Sequence, residues 1–510
     1  MKKFALIGLF LIFILAYTVR VMFLPEGALT FGYDQARDAV NALQIAGGNL
    51  KIFGPSASQP GLFHGVFYYY VLAPAYLLGH GSPIIAAYWI AFLNACGVFI
   101  VFYLTYLMTK KNLVASLLSA FLFAVSFEAT QYATWLSNPT IAVWTVPLMY
   151  LGLWLWLKEG KKNLGPLLTG VGLGLSIQSE IFLVYHAVVV AIWIFAARKV
   201  ITKKHLILFF GSLLISVSTM ILAQFKFGVG ASIEGLRGLA VTGESNLAYA
   251  KSLGDYTILY LNQIGRIFAF NSYPGNIGYG GGFVIALILI SLFKAGKFEL
   301  TPKLLLCTWL LSHLSVVAVG GTSTPFLMVG IGPAVSILIA LYLSDWWQNK
   351  YRILVILVLA VLTFGNLTMI AKENKNGSTL FAIQKDMLLS KQMKAIDYTY
   401  VKAGKEPFSI NTLTSPLWIN IVWSYLYKWY GMPKYGYLPS FHGRDQVGIL
   451  DSLPKSGVGI KKYFLILEPM GGIPAQYLDL TIGQEDSYSK LKDEIYLGEL
   501  RVQEREFIKK

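Results

Sequence analysis

His64-Gly65-Val66-Phe67-Tyr68-Tyr69-Tyr70-Val71-Leu72-Ala73-Pro74-Ala75-Tyr76-Leu77-Leu78-Gly79 is the apolar run on which the topology of this chain turns. Read as a crossing of the bilayer, it sets every later segment one way up; read as a helix lying at the bilayer surface, it sets them the other. A spanning helix needs about 20 apolar residues, and this run falls short of that. Pro74 interrupts it, and its tyrosines favour the lipid–water boundary over the hydrocarbon. The run reads as an interfacial helix.

The crossings are then expected at 4–24, 84–108, 113–133, 139–157, 164–178, 181–197, 205–225, 279–293, 304–320, 326–347 and 352–370, about eleven in all. Met1-Lys2-Lys3 followed by Phe4 to Leu24 looks like a signal peptide, but its apolar part is long enough to span and no small-residue cleavage site follows. It reads as an uncleaved first helix with its N-terminus inside. The inside loops then carry Lys110 and Lys111; Lys158, Lys161 and Lys162; Arg198, Lys199, Lys203 and Lys204; Lys294, Lys297 and Lys303; and Lys350 and Arg352. The short outside turns at 134–138, 179–180 and 321–325 carry no basic residue. Treating His64–Gly79 as a crossing would invert every one of these clusters, against the positive-inside rule.

Composition agrees. Of the 510 residues, 55% are hydrophobic and only 13% charged, too little polar surface to cover a soluble particle of this size. The formal charge of +16 comes from short clusters between apolar runs, which orients a membrane protein and argues against a nucleic-acid partner. The two cysteines, Cys96 and Cys307, each lie in an apolar stretch and read as small buried hydrophobes. There is no Walker loop, Rossmann fingerprint or zinc-ligand spacing.

The fold class expected is therefore an all-α polytopic membrane protein with a small extracytoplasmic α/β domain at its C-terminus. The membrane domain covers 1–370, with outer loops at 25–83 and 226–278, and the soluble domain covers 371–510. The second outer loop reads as a mobile loop plus a short helix. In the tail, Lys385–Ala403 suits a helix, Ser415–Tyr430 an aromatic-rich helix, Lys461–Leu467 a buried strand, and Glu494–Phe507 one or two edge strands.

Acidic residues next to the membrane are the first candidates for chemistry. Gly32-Tyr33-Asp34-Gln35-Ala36-Arg37-Asp38 opens an amphipathic helix that Gly47-Gly48 ends. Asp34 reads either as a helix N-cap or as a carboxylate that deprotonates a hydroxyl while Arg37, one turn on, meets a phosphate. Asp38 belongs to the same face. Glu128, near the end of the third span, is the second catalytic candidate, or an interface marker. Glu180, in Gln178-Ser179-Glu180, is an outer-turn residue or a site residue. His64 could touch a phosphate. Tyr68, Tyr69 and Tyr70 read as an interface belt, with Tyr69 placed to touch substrate.

Together these segments resemble the polyprenyl-phosphate-sugar-dependent glycosyltransferases of the C-type superfamily, the bacterial relatives of protein O-mannosyltransferases and of the lipid A aminoarabinose transferase. The resemblance lies in Tyr33-Asp34-Gln35-Ala36-Arg37, in Gly61 to Tyr70 (GLFHGVFYYY), in Gln131 to Pro139 (QYATWLSNP) and in Gly330-Ile331-Gly332-Pro333. It covers 1–370. Many relatives have Asp-Glu where this chain has Asp34-Gln35, a lysine where Gln59 precedes Pro60, and in some an aspartate where Asn138 precedes Pro139. The resemblance implies an inverting transfer on the extracytoplasmic side of the cell membrane. A hexosyl or pentosyl group would move from a polyprenyl-phosphate carrier to a lipid, glycan or protein acceptor. Asp34 would act as base or orient the acceptor, and Arg37 with His64 or Lys51 would stabilise the departing phosphate. No cofactor is required by the sequence, although a divalent cation could replace the missing lysine. The rival readings are a transporter or flippase for glycan precursors, which would show inverted repeats and charges in broken helices, and a non-catalytic assembly partner.

Topology is directly testable. Reporters fused after Lys111, Lys162 and Arg352 should give cytoplasmic signals, and those after Gly321 and Lys510 external ones. A cytoplasmic signal at Lys510 would rule out the odd number of crossings.

Overall fold

The structure, a computed structural model, describes residues 3–57, 62–228, 252–273, 289, 300–315, 325–444, 450–457 and 460–508. The first helix is α1 (Lys3–Val21), followed by α2 (Tyr33–Ala46) and α3 (Phe67–Leu78) in the connection 25–83, read from the sequence as the first outer loop. Then come α4 (Pro83–Met108), α5 (Leu113–Ala124), α6 (Phe127–Ala133), α7 (Ala142–Leu157), α8 (Leu164–Ser179), α9 (His186–Ala196), α10 (Lys203–Ser216) and α11 (Ser218–Phe227). Beyond them lie α12 (Leu253–Asn271), α13 (Leu300–Leu310), α14 (Gly332–Gln348) and α15 (Arg352–Glu373).

Four helical stretches among the described residues, Lys3–Glu26, Pro83–Met108, Asn138–Leu157 and Arg352–Glu373, are long and apolar enough to cross a membrane. Two bent pairs, α5 with α6 and α10 with α11, bring that to six if each is one span. The chain is a multi-pass membrane protein. Helix occupies the expected spans between 139 and 197 and between 326 and 370 as well, while 279–293 (save Leu289) and 316–324 lie outside the described residues. So do the loop lysines Lys294 and Lys297 and most of the outer loop 226–278. The part of that loop that is described holds α12, which at 19 residues is longer than the short helix expected. α1 and α15 expose Phe4, Ile7, Leu11, Ile353, Leu357 and Phe364, an apolar surface suited to lipid rather than water. The segment His64–Gly79 folds as the 12-residue α3, packed against α2 and α4, with Pro74 inside it.

The expected third span, 113–133, is broken. α5 stops at Ala124 and α6 leaves it at 53°. In hydrocarbon each backbone group freed by such a break needs a partner. Arg20, near the end of α1 and buried, supplies several: its Nη1 donates to Ala124 O and Ala16 O at 2.8 Å, its Nη2 to Phe123 O at 3.2 Å, and its Nε to Asn94 Oδ1 at 2.7 Å. Asn94 Nδ2 then donates to Ala129 O across the break. Asn366 Oδ1 accepts the Phe127 N–H at 2.8 Å, and Ser126 Oγ accepts the Ala129 N–H as the cap of α6. The sequence reading passed over Arg20, although an arginine inside an apolar span is itself a signal.

The C-terminal part holds α16 (Leu389–Ala403) and a five-stranded sheet of β1 (Phe408–Leu413), β2 (Ser440–Phe441), β3 (Lys462–Leu467), β4 (Ser489–Leu497) and β5 (Leu500–Phe507) in the order β2-β1-β3-β5-β4. β1 runs parallel to β2 and β3, with Ile410 opposite Phe464, and β5 is antiparallel to β3 and β4. Two expectations for the tail are corrected. Of the one or two edge strands expected over Glu494–Phe507, β4 is the edge, while β5 is interior, bonded to β3 on one side and β4 on the other, with its charges paired: Arg505 with Asp486, and Glu504 with Lys402 and Lys492. The helix expected from Ser415 begins only at Ile421, and Ser415–Asn420 is a turn, with the Thr414 hydroxyl accepting the Ile419 N–H.

The two parts are laced together at the start of the first outer loop. Thr30 bridges to Leu388, Phe31 N donates to Met387 O, Leu389 N to Leu29 O, and Gln392 Nε2 to Phe31 O at 2.7 Å. Gln131 of α6 reaches the same region, donating to Asn374 Oδ1 at 2.8 Å and accepting from Leu380 N at 2.9 Å.

Replacing Arg20 by leucine keeps an apolar helix but removes the guanidinium donors of the Ala124 carbonyl and of Asn94 Oδ1. At about 1–3 kcal/mol for each buried group left unpaired, the Arg20→Leu protein should lose roughly 3 kcal/mol or more. A detergent-solubilised melt should show this as a clear drop, and an unchanged melting temperature would mean the break is held some other way.

Candidate functional site

A cavity of about 630 Å³ lies where the first outer loop, the α6–α7 connection and the C-terminal part meet. Asp34, Arg37, His64, Asn138 and Glu180, five of the residues singled out in the sequence, all line it.

α2 positions the first two. Ala36, Ala39, Val40, Ala42 and Ile45 bury its apolar side, and Gly32 in extended backbone stands at the N-cap. Asp34 is therefore not the cap; that reading is corrected. Gln35 does the work a cap would do, accepting the Gly32 N–H on Oε1 at 2.9 Å. Its other end, Nε2, donates to Leu136 O at 3.2 Å. The departure from the relatives' Asp-Glu thus has a local reason, since only an amide both accepts and donates here.

Arg37 sits between two unlike carboxylates. Nη1 donates to Asp34 Oδ1 at 2.6 Å, while Nε donates to Asp38 Oδ1 at 2.8 Å with Nη2 2.7 Å from the same oxygen. The Asp34 side chain is 50% exposed and Asp38 only 1%, so the first carboxylate faces the cavity and the second forms its backing. Burial alone would lower the Arg37 pKa, but the two carboxylates override it and hold the guanidinium charged. Burial pushes Asp38 up to about 7 in spite of the arginine. Tyr69 is buried behind the pair, its hydroxyl within hydrogen-bonding reach of Arg37 and Asp38; it supports Arg37 and does not line the cavity.

His64 and Glu180 form another part of the wall. His64 Nδ1 accepts the Ile181 N–H at 3.3 Å and lies 3.5 Å from Glu180 Oε1. Burial lowers His64 to about 3, so it meets the cavity neutral, and with Nδ1 accepting, its proton belongs on Nε2. It can donate a hydrogen bond to an anion but brings no charge. Burial likewise pushes Glu180 up to about 8, and its Oε1 has no hydrogen-bond partner among the described residues. Gly65, in the GLFHGVFYYY segment, lets this loop lie flat: its N–H donates to Gln178 O at 2.7 Å, and any Cβ there would collide with the Gln178 side chain. Asn138 Nδ2 donates to Ser179 O, so Asn138 ties the two walls together.

The remaining candidates fall elsewhere. Glu128 accepts from Asn271 Nδ2 and does not line the cavity. It lies one turn before Tyr132, whose ring stacks on Phe381 of the cavity wall at 4.4 Å. Lys51 is held by its backbone to the Tyr70 hydroxyl and is absent from the lining. Gln59 lies outside the described residues. Conversely, the structure brings in residues the sequence did not offer. Trp135 packs against Phe381 with ring centroids 4.9 Å apart and planes tilted by 36°, and Ile383, Gln384, Met387, Ser415 and Pro416 close the cavity from the C-terminal side. Trp135 lies in the Gln131–Pro139 motif, but no local pattern in the sequence marks the others, because they are recruited by tertiary contact.

Comparison with solved structures fits this geometry. ArnT from Cupriavidus metallidurans bound to undecaprenyl phosphate matches over 99% of this chain and 98% of its own, with a TM-score of 0.60 at 11% identity. The apo form of the same protein matches at 0.59 and 10% identity over the same shares. The Archaeoglobus fulgidus oligosaccharyltransferase in complex with Zn and sulfate matches 95% of this chain and 71% of its own, with a TM-score of 0.48 at 13% identity. No protein-family model and no curated protein sequence matches the chain. At these identities the likeness establishes the fold alone: this chain shares the fold of ArnT over nearly its whole length.

The double role of Gln35 gives a direct test. Gln35→Glu keeps the bond to Gly32 but sets a carboxylate oxygen against the Leu136 carbonyl. The protein should lose about 1–3 kcal/mol of stability in a denaturation series. Unchanged stability would show that the amide is not what joins α2 to the α6–α7 connection.

Proposed function

We propose that this protein is a membrane glycosyltransferase that moves a sugar from a polyprenyl-phosphate carrier to an acceptor hydroxyl outside the cytoplasm, with inversion at the anomeric carbon. The observation that carries this reading is the half-exposed Asp34 carboxylate beside the charged Arg37 guanidinium on one cavity wall. Support for a lipid-phosphate donor comes from ArnT, which shares the fold and has been solved with undecaprenyl phosphate bound. The odd number of crossings read from the basic loops belongs to the same proposal, since it sets the cavity and the C-terminal domain on the outer side.

In this reaction the acceptor oxygen attacks the anomeric carbon and its proton passes to Asp34. The bond from that carbon to the phosphate oxygen breaks, and the electron pair leaves with the polyprenyl phosphate, which gains one negative charge. Arg37 and the Nε2–H of His64 stand on the lining where that charge can be met. The reading assigns the positive charge that meets the leaving phosphate to Arg37, which stands beside Asp34 on the lining.

Asp34→Asn decides the base. The residue is not a cap and its side chain is half exposed, so the change should cost little stability. A lost general base should cut turnover about a hundredfold or more. The purified variant should match the parent in monodispersity and melting temperature and fail in transfer from a polyprenyl-linked sugar. Near-parental turnover in a folded Asp34→Asn protein would remove Asp34 from the chemistry, and equal transfer from a nucleotide sugar without carrier lipid would overturn the donor class.

A further inference from the structure

The C-terminal side of the cavity is held by one buried carboxylate that is not itself on the lining. Glu468 follows β3 and is 2% exposed. Its Oε2 accepts the Ser415 N–H at 2.9 Å and Gln384 Nε2 at 3.1 Å, and its Oε1 accepts Trp423 Nε1 at 3.0 Å. Three chain segments, the loop before α16, the turn after β1 and the helix Ile421–Leu426, thus converge on one side chain. Gln384 Nε2 also donates to Pro469 O at 2.8 Å. Both amide hydrogens of Gln384 are thereby used, and the group it can offer the cavity is its carbonyl oxygen. Ser415 beside it adds a hydroxyl that can both donate and accept.

Charge narrows what this end can take. Among the described lining residues Arg37 is the single lysine or arginine, and it already faces Asp34 and Asp38. A polyprenyl-phosphate sugar is a phosphodiester with one negative charge, which one guanidinium can meet. A second anionic group, approaching Gln384 and Ser415, would find no lysine or arginine there among the described lining residues. Resting on the glycosyltransferase reading, we propose that Gln384 and Ser415 form the acceptor subsite, that it takes a neutral, hydroxyl-bearing group, and that Glu468 is the positioning residue that sets it. Trp423 shares the carboxylate but lies off the cavity, so it separates positioning from mere stability.

The test uses the full-length protein in detergent with polyprenyl-linked sugar extracted from the parent cells. Membranes from cells lacking the gene supply the acceptor in graded amounts, and product is followed by mass spectrometry. Gln384→Ala and Glu468→Gln should each raise the amount of membrane giving half-maximal transfer about tenfold, the size of one lost hydrogen bond, with the plateau kept. Both should retain undecaprenyl phosphate in native mass spectrometry as the parent does. Trp423→Phe should lower the melting temperature and leave half-saturation at the parental value. Parental half-saturation in Gln384→Ala overturns the subsite, including where Glu468→Gln does not fold, because Gln384→Ala leaves Glu468 two donors. A shift in Trp423→Phe equal to that in Glu468→Gln overturns the positioning role and leaves Glu468 purely structural. A parent that transfers nothing from the lipid-linked sugar would defeat the glycosyltransferase reading, and the subsite with it.

Discussion

The structure depends on how a helix can be stopped inside a membrane. A break in an apolar helix leaves irregular chain, and irregular chain frees backbone groups that lipid cannot satisfy. Arg20 resolves this by placing one guanidinium on the last carbonyls of α5, with Asn94 carrying the connection across the break to Ala129. The positive charge also lies at the C-terminal end of a helix, where the aligned peptide dipoles favour it. With α5 ended there, α6 turns away by 53° and directs Gln131 to Pro139 under the first outer loop.

That redirected segment explains why distant parts of the chain share one cavity. Leu136 O receives Gln35 and so anchors α2, which carries Asp34 and Arg37. Gln131 holds residues 374–380, and through them the beginning of the C-terminal part. Asn138 reaches Ser179, next to Glu180 and the His64 loop. Of the QYATWLSNP residues, Gln131, Leu136 and Asn138 act as joints, and Trp135 supplies a ring to the wall. Motif residues of this kind serve the site by fixing the elements around it.

The same distinction accounts for what could be read from the sequence. Helix positions were legible because apolar length is a local signal, and His64–Gly79 was legible as a helix too short to span, folding as the 12-residue α3 with Pro74 inside it. Asp34 and Arg37 were legible as a pair because a helix brings residues three apart together. Burial was not legible. Asp34 and Asp38 look alike in the sequence, yet one is half exposed and the other is buried beside Tyr69. Glu128 looked equivalent to both and lies behind an aromatic wall. RVQEREF looked like an edge because its partners, Asp486, Lys402 and Lys492, are found only once the sheet is formed. Gln384 and Ser415 carry no pattern at all, and only the convergence on Glu468 singles them out.

Burial also sorts the two aspartates on Arg37 into different tasks. Asp38 is enclosed, contacts the guanidinium through Nε and Nη2, and would leave an uncompensated charge if the contact broke, so it holds Arg37 in place. Asp34 touches only Nη1 and is half in solvent, where an ion pair is worth little and exchanges readily. On the proposed reaction, an arriving phosphate competes with Asp34 for that one nitrogen and does not disturb Asp38. The exchange leaves Arg37 paired with the leaving group and frees Asp34 to take the proton from the acceptor. A single arginine can then serve donor binding and leave the base available, provided one of its carboxylates is fixed and the other is not. The difference in exposure between Asp34 and Asp38 supplies that asymmetry.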